Sequence, residues 1–131
     1  MGQVQRILVI DDEPLVATCL CRGLRDYDAL ATTSGRLALE LLRKEHFDLV
    51  LCDLMMPELS GMDVYGSLRL SDPQLAQRMI FITGGAGLSS AQAFLASVRN
   101  PRLEKPFEVA QLRAAVATAL AWPRESRVAS Y

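Results

Sequence analysis

Two apolar runs in this chain end in acid: residues 7–10 (ILVI) lead straight into Asp11, Asp12 and Glu13, and residues 49–52 (LVLC) lead into Asp53. Two further runs end in other reactive groups, the stretch 79–83 (MIFIT) in Thr83 followed by Gly84, and the segment around Leu103 in Lys105 and Pro106. Carboxylates brought together from two segments crowd negative charge and call for a cation. Hard oxygen donors of this kind suit magnesium, which keeps coordination positions open for water and a phosphoryl oxygen. An ammonium from Lys105 would neutralise a phosphoryl group from the other side. A hydroxyl from Thr83 would donate to it, and Gly84 would leave room for its approach. The chemistry this combination describes is phosphoryl transfer.

Such a site exists only if the runs lie side by side with their ends level. Each run is too short and too uniformly apolar for an amphipathic helix, and suits a strand buried on both faces. Between the runs the sequence shows helical spacing. Reading period and punctuation gives strands over 7–10, 29–32, 49–52, 79–83 and around Leu103, with helices over 14–25, 36–44, 61–70, 90–98 and 109–120. The last helix carries Leu112, Val116 and Leu120 on one stripe and is ended by Pro123. Strands alternating with helices require a parallel sheet covered on both faces, because parallel neighbours need crossover connections. The expected fold is therefore α/β, a doubly wound five-stranded parallel sheet of the flavodoxin-like kind. In the order 2-1-3-4-5 strands one and three are adjacent, and their acids share one pocket beyond the carboxyl ends.

Composition sets outer bounds. The 131 residues suit one domain, expected over residues 1–123, with a polar tail over 124–131. Basic and acidic residues number 14 and 15, so no strong field attracts nucleic acid or anionic lipid. No apolar run reaches the ~20 residues that span a bilayer, and no basic-then-apolar leader opens the chain; a cytoplasmic protein is expected. Cys19, Cys21 and Cys52 are odd in number, and the first two, two apart on a helix, point away from each other; they read as reduced core residues.

Taken singly, each candidate has an ordinary use. Asp11, Asp12 and Glu13 could cap a helix, Asp53 could open a turn, Thr83 could be a β-branched strand residue, and Lys105 a solvated loop residue. His46 reads as a surface histidine and Met55, Met56 and Met62 as packing or loop residues. The run GGAG, residues 84–87, lacks the Walker and dinucleotide-binding patterns and reads as a turn. No hydroxyl-rich loop of the kind flavin phosphate needs follows the first strand.

As a set, the residues resemble the receiver domain of two-component response regulators. The match rests on an acidic pair after strand one, on DLMMPELSG (residues 53–61) after strand three, on a threonine after strand four and on Lys-Pro after strand five, at separations typical of that family. It covers nearly the whole chain. The resemblance implies that Asp53 is the nucleophile that takes a phosphoryl group from a phosphohistidine and becomes an aspartyl phosphate. It implies that Asp12 and Asp53 bind Mg2+ directly, that Met55 adds its backbone carbonyl, and that Asp11 orients metal-bound water. Lys105 would pair with the phosphoryl group, Thr83 would sense it, and the bond between Lys105 and Pro106 would be cis. The implied activity is self-phosphorylation with autodephosphorylation rather than turnover. The implied partners are a histidine kinase or a histidine phosphotransfer domain, with a homodimer also compatible and no nucleic acid bound by this chain.

One position departs from the pattern. Receivers commonly carry Phe or Tyr three residues before the lysine, and here Arg102 stands there. A guanidinium does not bury as a ring does without a partner charge, so the aromatic switch is compromised while the phosphoryl chemistry need not be. The run NPRLEKPF, residues 100–107, also resembles receivers joined to the C-terminus of hybrid sensor histidine kinases. A receiver-like interaction module indifferent to phosphate is the alternative reading.

Overall fold

A computed structural model describes residues 4–84 and 89–122. Strand β1 (Arg6–Ile10) is followed by α1 (Pro14–Gly23), β2 (Asp28–Thr32), α2 (Gly35–Lys44) and β3 (Leu49–Asp53). Then come α3 (Gly61–Ser71), α4 (Pro73–Gln77), β4 (Ile80–Thr83), α5 (Ser89–Ser97), β5 (Arg102–Glu104) and α6 (Val109–Leu120). The sheet is parallel throughout, in the order β2-β1-β3-β4-β5. Fold class and strand order are those expected from the sequence.

Alternation along the strands divides the core into two layers. Ile7 and Val9 of β1, Leu49 and Leu51 of β3, and Ile80 and Ile82 of β4 pack with Leu20 and Leu24 and with Leu112 and Val116 of α6. Leu8, Ile10, Val50, Cys52 and Phe81 face the opposite layer, against Ala38 of α2, Val64 and Leu68 of α3, Leu75 and Ala76 of α4, and Ala91 and Leu95 of α5. Because both faces are covered, β3 is buried along its entire length. In the second layer Phe81 meets Tyr65 and Phe94 edge-on, with centroids 5.8 and 5.2 Å away.

Three expectations are corrected. The stretch between α3 and β4 holds a further short helix, α4, that the five-helix reading lacked. Asp72 ends α3 and its Oδ1 accepts from Leu75 N at 3.2 Å, while Pro73 occupies the first turn, so one Asp-Pro step stops one helix and starts the next. Helix α1 stops at Gly23 rather than residue 25, and the backbone turns through Leu24 toward β2. Cys19 is exposed and Cys21 only half-buried, leaving Cys52 as the core thiol; all three are free. On α1 the inward face is held by Ala17 and Leu20, three residues apart, and Cys19 and Cys21 fall beside that stripe. The tail over 124–131, the ending of α6 at Pro123 and most of the GGAG run lie outside the described residues.

Candidate phosphoryl-transfer site

Register places the strand ends level. Ile10 of β1 pairs with Cys52 of β3, so Asp11 and Asp53, each the next residue, stand side by side one strand spacing of about 4.8 Å apart. On the other flank of β3, Asp53 pairs with Ile82, and Thr83 beyond it pairs with Glu104, which delivers Lys105 to the same edge. The backbone continues that alignment past the strands: Asp11 N donates to Thr32 O at 3.1 Å, Leu54 N to Ile82 O at 2.9 Å, and Lys105 N to Thr83 O at 2.8 Å.

Each acid has a different environment. Asp11 is wholly buried; its Oδ1 accepts from Glu13 N at 2.9 Å, while Oδ2 has no hydrogen-bond partner among the described residues and lies 3.4 Å from Lys105 Nζ, close enough to attract but without hydrogen-bond geometry. Asp53 is 5% exposed, and its Oδ1 accepts from Met55 N at 3.1 Å while Oδ2 lies 3.5 Å from Lys105 Nζ. Asp12 is half-buried, and one carboxylate oxygen from each of Asp11, Asp12 and Asp53 falls within 4.8 Å of the other two. Lys105, at 24% side-chain exposure, also meets Glu13 Oε1 at 3.2 Å.

Burial dominates the electrostatics. It pushes Asp53 up to about 6, with the Met55 N–H pulling down and the Asp11 charge adding to the rise. Burial likewise raises Asp11, against the pull of the Glu13 N–H and Lys105. For Lys105 burial works downward, yet the Asp53, Glu13 and Asp11 carboxylates outweigh it and hold the ammonium above its ordinary value. With all groups ionised, Asp11, Asp12, Glu13 and Asp53 face a single lysine, and the excess negative charge fits a divalent cation. Asp11 Oδ2 agrees: among the described residues this buried carboxylate oxygen accepts no hydrogen bond, and the Lys105 ammonium 3.4 Å away is shared with two other carboxylates. The residues present therefore suit Mg2+, with Asp11, Asp12 and Asp53 as the carboxylates that would hold it.

The loop after Asp53 is built to keep that carboxylate in place. A Cβ on Gly61 would stand 2.7 Å from Asp53 O and 2.9 Å from Leu54 Cα, so only glycine lets α3 start against the backbone of the acid. Gly61 N donates to Leu54 O at 3.1 Å. Ser60 and Asp63 then close a capping box on α3, Ser60 Oγ accepting from Asp63 N at 3.3 Å and Asp63 Oδ2 accepting from Ser60 N at 2.9 Å. Glu58 turns the chain with φ of 65°. At the far wall, Gly84 is exposed, and among the described residues nothing lies within 4 Å of where a Cβ would point. The Lys105–Pro106 peptide is cis, as expected.

The profile of the response regulator receiver domain matches residues 7–117. The chain belongs to that family. This receiver is 31% identical over 113 residues to the probable transcriptional regulatory protein TcrX of Mycobacterium tuberculosis, an alignment covering 85% of this chain and 47% of TcrX. It is 35% identical over 118 residues to the response regulator protein PilR of Pseudomonas aeruginosa, covering 88% of this chain and 26% of PilR. The chain thus spans less than half the length of these curated relatives. A response regulator receiver domain protein of Clostridium thermocellum superposes with a TM-score of 0.81 at 26% identity, covering 95% of this chain and 99% of that one. Receivers act in two-component signalling with histidine kinases, and bind Mg2+ at an acidic pocket. Among the described residues no helix is long and apolar enough to cross a membrane.

Asp11, Asp12, Asp53, Thr83 and Lys105 are gathered at one edge of the receiver as the sequence expected, and Met55 flanks Asp53 through its backbone N–H. Arg102 is set apart: it is exposed on the edge strand, and its Nη2 donates to Leu95 O in α5 at 3.2 Å. Sequence reasoning missed the contact between Glu13 and Lys105, which joins residues 92 positions apart and carries no local signal. It also left unexplained the glycine of DLMMPELSG, whose role against the Asp53 backbone depends on how closely α3 approaches.

Proposed function

We propose that this receiver is a phosphoacceptor in a two-component phosphorelay, with Asp53 as the residue that is phosphorylated. The observation that carries the reading is the position of Asp53: level with Asp11 and Asp12 at a spacing a divalent cation can bridge, and 3.5 Å from the Lys105 ammonium. An oxygen of the Asp53 carboxylate attacks the phosphorus of a phosphohistidine on a histidine kinase or histidine phosphotransfer domain. A P–O bond forms as the P–N bond breaks, and the imidazole leaves with a proton. In the metal-free site burial raises the Asp53 carboxyl to about 6, so it is mainly ionised at pH 7 and available as the nucleophile. Asp12, Asp53 and the Met55 carbonyl, with water ordered by Asp11, would hold Mg2+, which would supply charge neutralisation at the phosphoryl oxygens. Lys105 balances the same charge from the opposite side, Thr83 donates its hydroxyl to a phosphoryl oxygen, and Gly84 gives it space. The receiver spans residues 1–123 with residues 124–131 as its tail, and it works in the cytoplasm.

Incubation with acetyl phosphate and Mg2+ followed by intact-mass measurement tests this. One added phosphoryl group is expected on the wild type and none on Asp53→Asn; no adduct on the wild type, or the same adduct on both, refutes it.

Arg102 supports a further refinement. Exposed and bonded to the last turns of α5, it is not a ring that swings between inward and outward positions. Together with NPRLEKPF it favours service within a relay, as in the receiver of a hybrid sensor histidine kinase, over output through an aromatic switch. The same observation favours the second reading, a module whose partner binding ignores phosphate. Partner affinity measured with and without beryllofluoride separates the two, since a clear difference excludes the second.

A further inference from the structure

The third acid of the β1–α1 loop has no place in the scheme above. Glu13 is the N-cap residue of α1, a position whose side chain ordinarily accepts a hydrogen bond from its own helix, yet it makes no such bond. Its Oε1 instead reaches Lys105 Nζ at 3.2 Å, the shortest of the three carboxylate contacts made by that lysine, against 3.4 Å to Asp11 and 3.5 Å to Asp53. Asp11 and Asp53 are buried, whereas the Glu13 side chain is 63% exposed, and Glu13 lies outside the group of acids that can share a cation. One ammonium is thus divided between the floor of the pocket and a carboxylate at its mouth.

We infer that Glu13 is a positioning residue that holds Lys105 at the mouth of the pocket in the resting protein, so that the lysine must leave Glu13 to meet an incoming phosphoryl group. The inference rests on the phosphoacceptor reading. Physically, the ammonium exchanges one anionic partner for another, and the resting pair sets how readily that exchange occurs. An ion pair this exposed is weak and screened by salt, so Glu13 tunes the rate of phosphorylation instead of permitting or forbidding it.

Two substitutions separate holding from simple charge. Glu13→Gln removes the carboxylate. Glu13→Asp keeps the charge but is one methylene shorter, and aspartate at an N-cap turns to its own helix N–H groups, away from Lys105. Phosphorylation rates with acetyl phosphate and saturating Mg2+ are read for wild type and both variants from about 0.05 to 0.5 M ionic strength. Both variants are expected to react roughly two- to fivefold faster than wild type at low salt, an effect on the order of a surface ion pair, with the difference shrinking as salt rises. A Glu13→Asp rate equal to wild type beside a fast Glu13→Gln would show that repulsion of the anionic donor alone is at work and overturn the inference. Equal rates for all three, or a difference untouched by salt, would do so as well. No adduct on any of the three would instead remove the phosphoacceptor reading itself, and this inference with it.

Discussion

Replacing Asp53 by Asn should stabilise the resting, metal-free protein at neutral pH and leave it unchanged in acid. Burial raises the Asp53 carboxyl from an ordinary 3.8 to about 6, so the folded protein binds this proton more tightly than the unfolded chain does. The stability linked to it is complete below about pH 4 and is lost as pH rises through 6, the reverse of a salt-bridged carboxylate. A shift of this size corresponds to about 3 kcal/mol at pH 7.5. Asparagine avoids that cost, and because the raised value already includes the attraction of Lys105, the net gain is about 3 kcal/mol. For a domain of this length that is roughly 10 °C in Tm. Thermal unfolding of both proteins in chelator at pH 4 and pH 7.5 is the assay. Coincident curves at pH 4 and a higher Tm for Asp53→Asn at pH 7.5 are expected. A variant less stable than wild type at pH 7.5, or a difference of equal size at both pH values, would refute the claim that burial of an ionised Asp53 is what makes the site costly.

Other consequences follow from the same geometry. Mg2+ at about 100 times its Kd should stabilise the wild type by about 2.7 kcal/mol, and Asp11→Asn or Asp12→Asn should diminish that thermal shift, since each removes one carboxylate from the cluster. Gly61→Ala should destabilise by about 1–3 kcal/mol and slow modification of Asp53, because the new methyl meets the Asp53 and Leu54 backbone; urea unfolding and phosphorylation rates read the two effects. Asn100→Ala should cost about 2–3 kcal/mol in urea unfolding while leaving the phosphorylation rate intact. The buried Asn100 Nδ2 donates to Ala76 O at 2.8 Å and Met79 O at 2.9 Å, tying α4 to the start of β4 far from the acids.

The apolar runs were legible because a strand buried on both faces has little choice but to be continuous in Val, Ile and Leu, and β1, β3 and β4 lie within two residues of where the sequence puts them. Alternation with helices then leaves few topologies, and in the one observed the acids after β1 and β3 must be neighbours. The sequence alone therefore assembles Asp11, Asp12, Asp53, Thr83 and Lys105 on one edge. Helix α4 escaped because its five residues make little more than one turn, too short for an apolar position to recur; its start signal, Asp72 followed by Pro73, was present but had no apolar stripe behind it.

What the chain order could not decide are quantities that depend on atoms meeting across the fold. That Cys19 faces solvent follows from which side of α1 packs on the sheet, and that Gly61 must lack a side chain follows from a 2.7 Å approach to Asp53 O. Type and spacing tell which groups end each strand, since backbone geometry transmits them to a common edge. Burial, which raises Asp53, and reach, which lets Glu13 share Lys105, arise only when the two flanks of the sheet close around the same few ångströms.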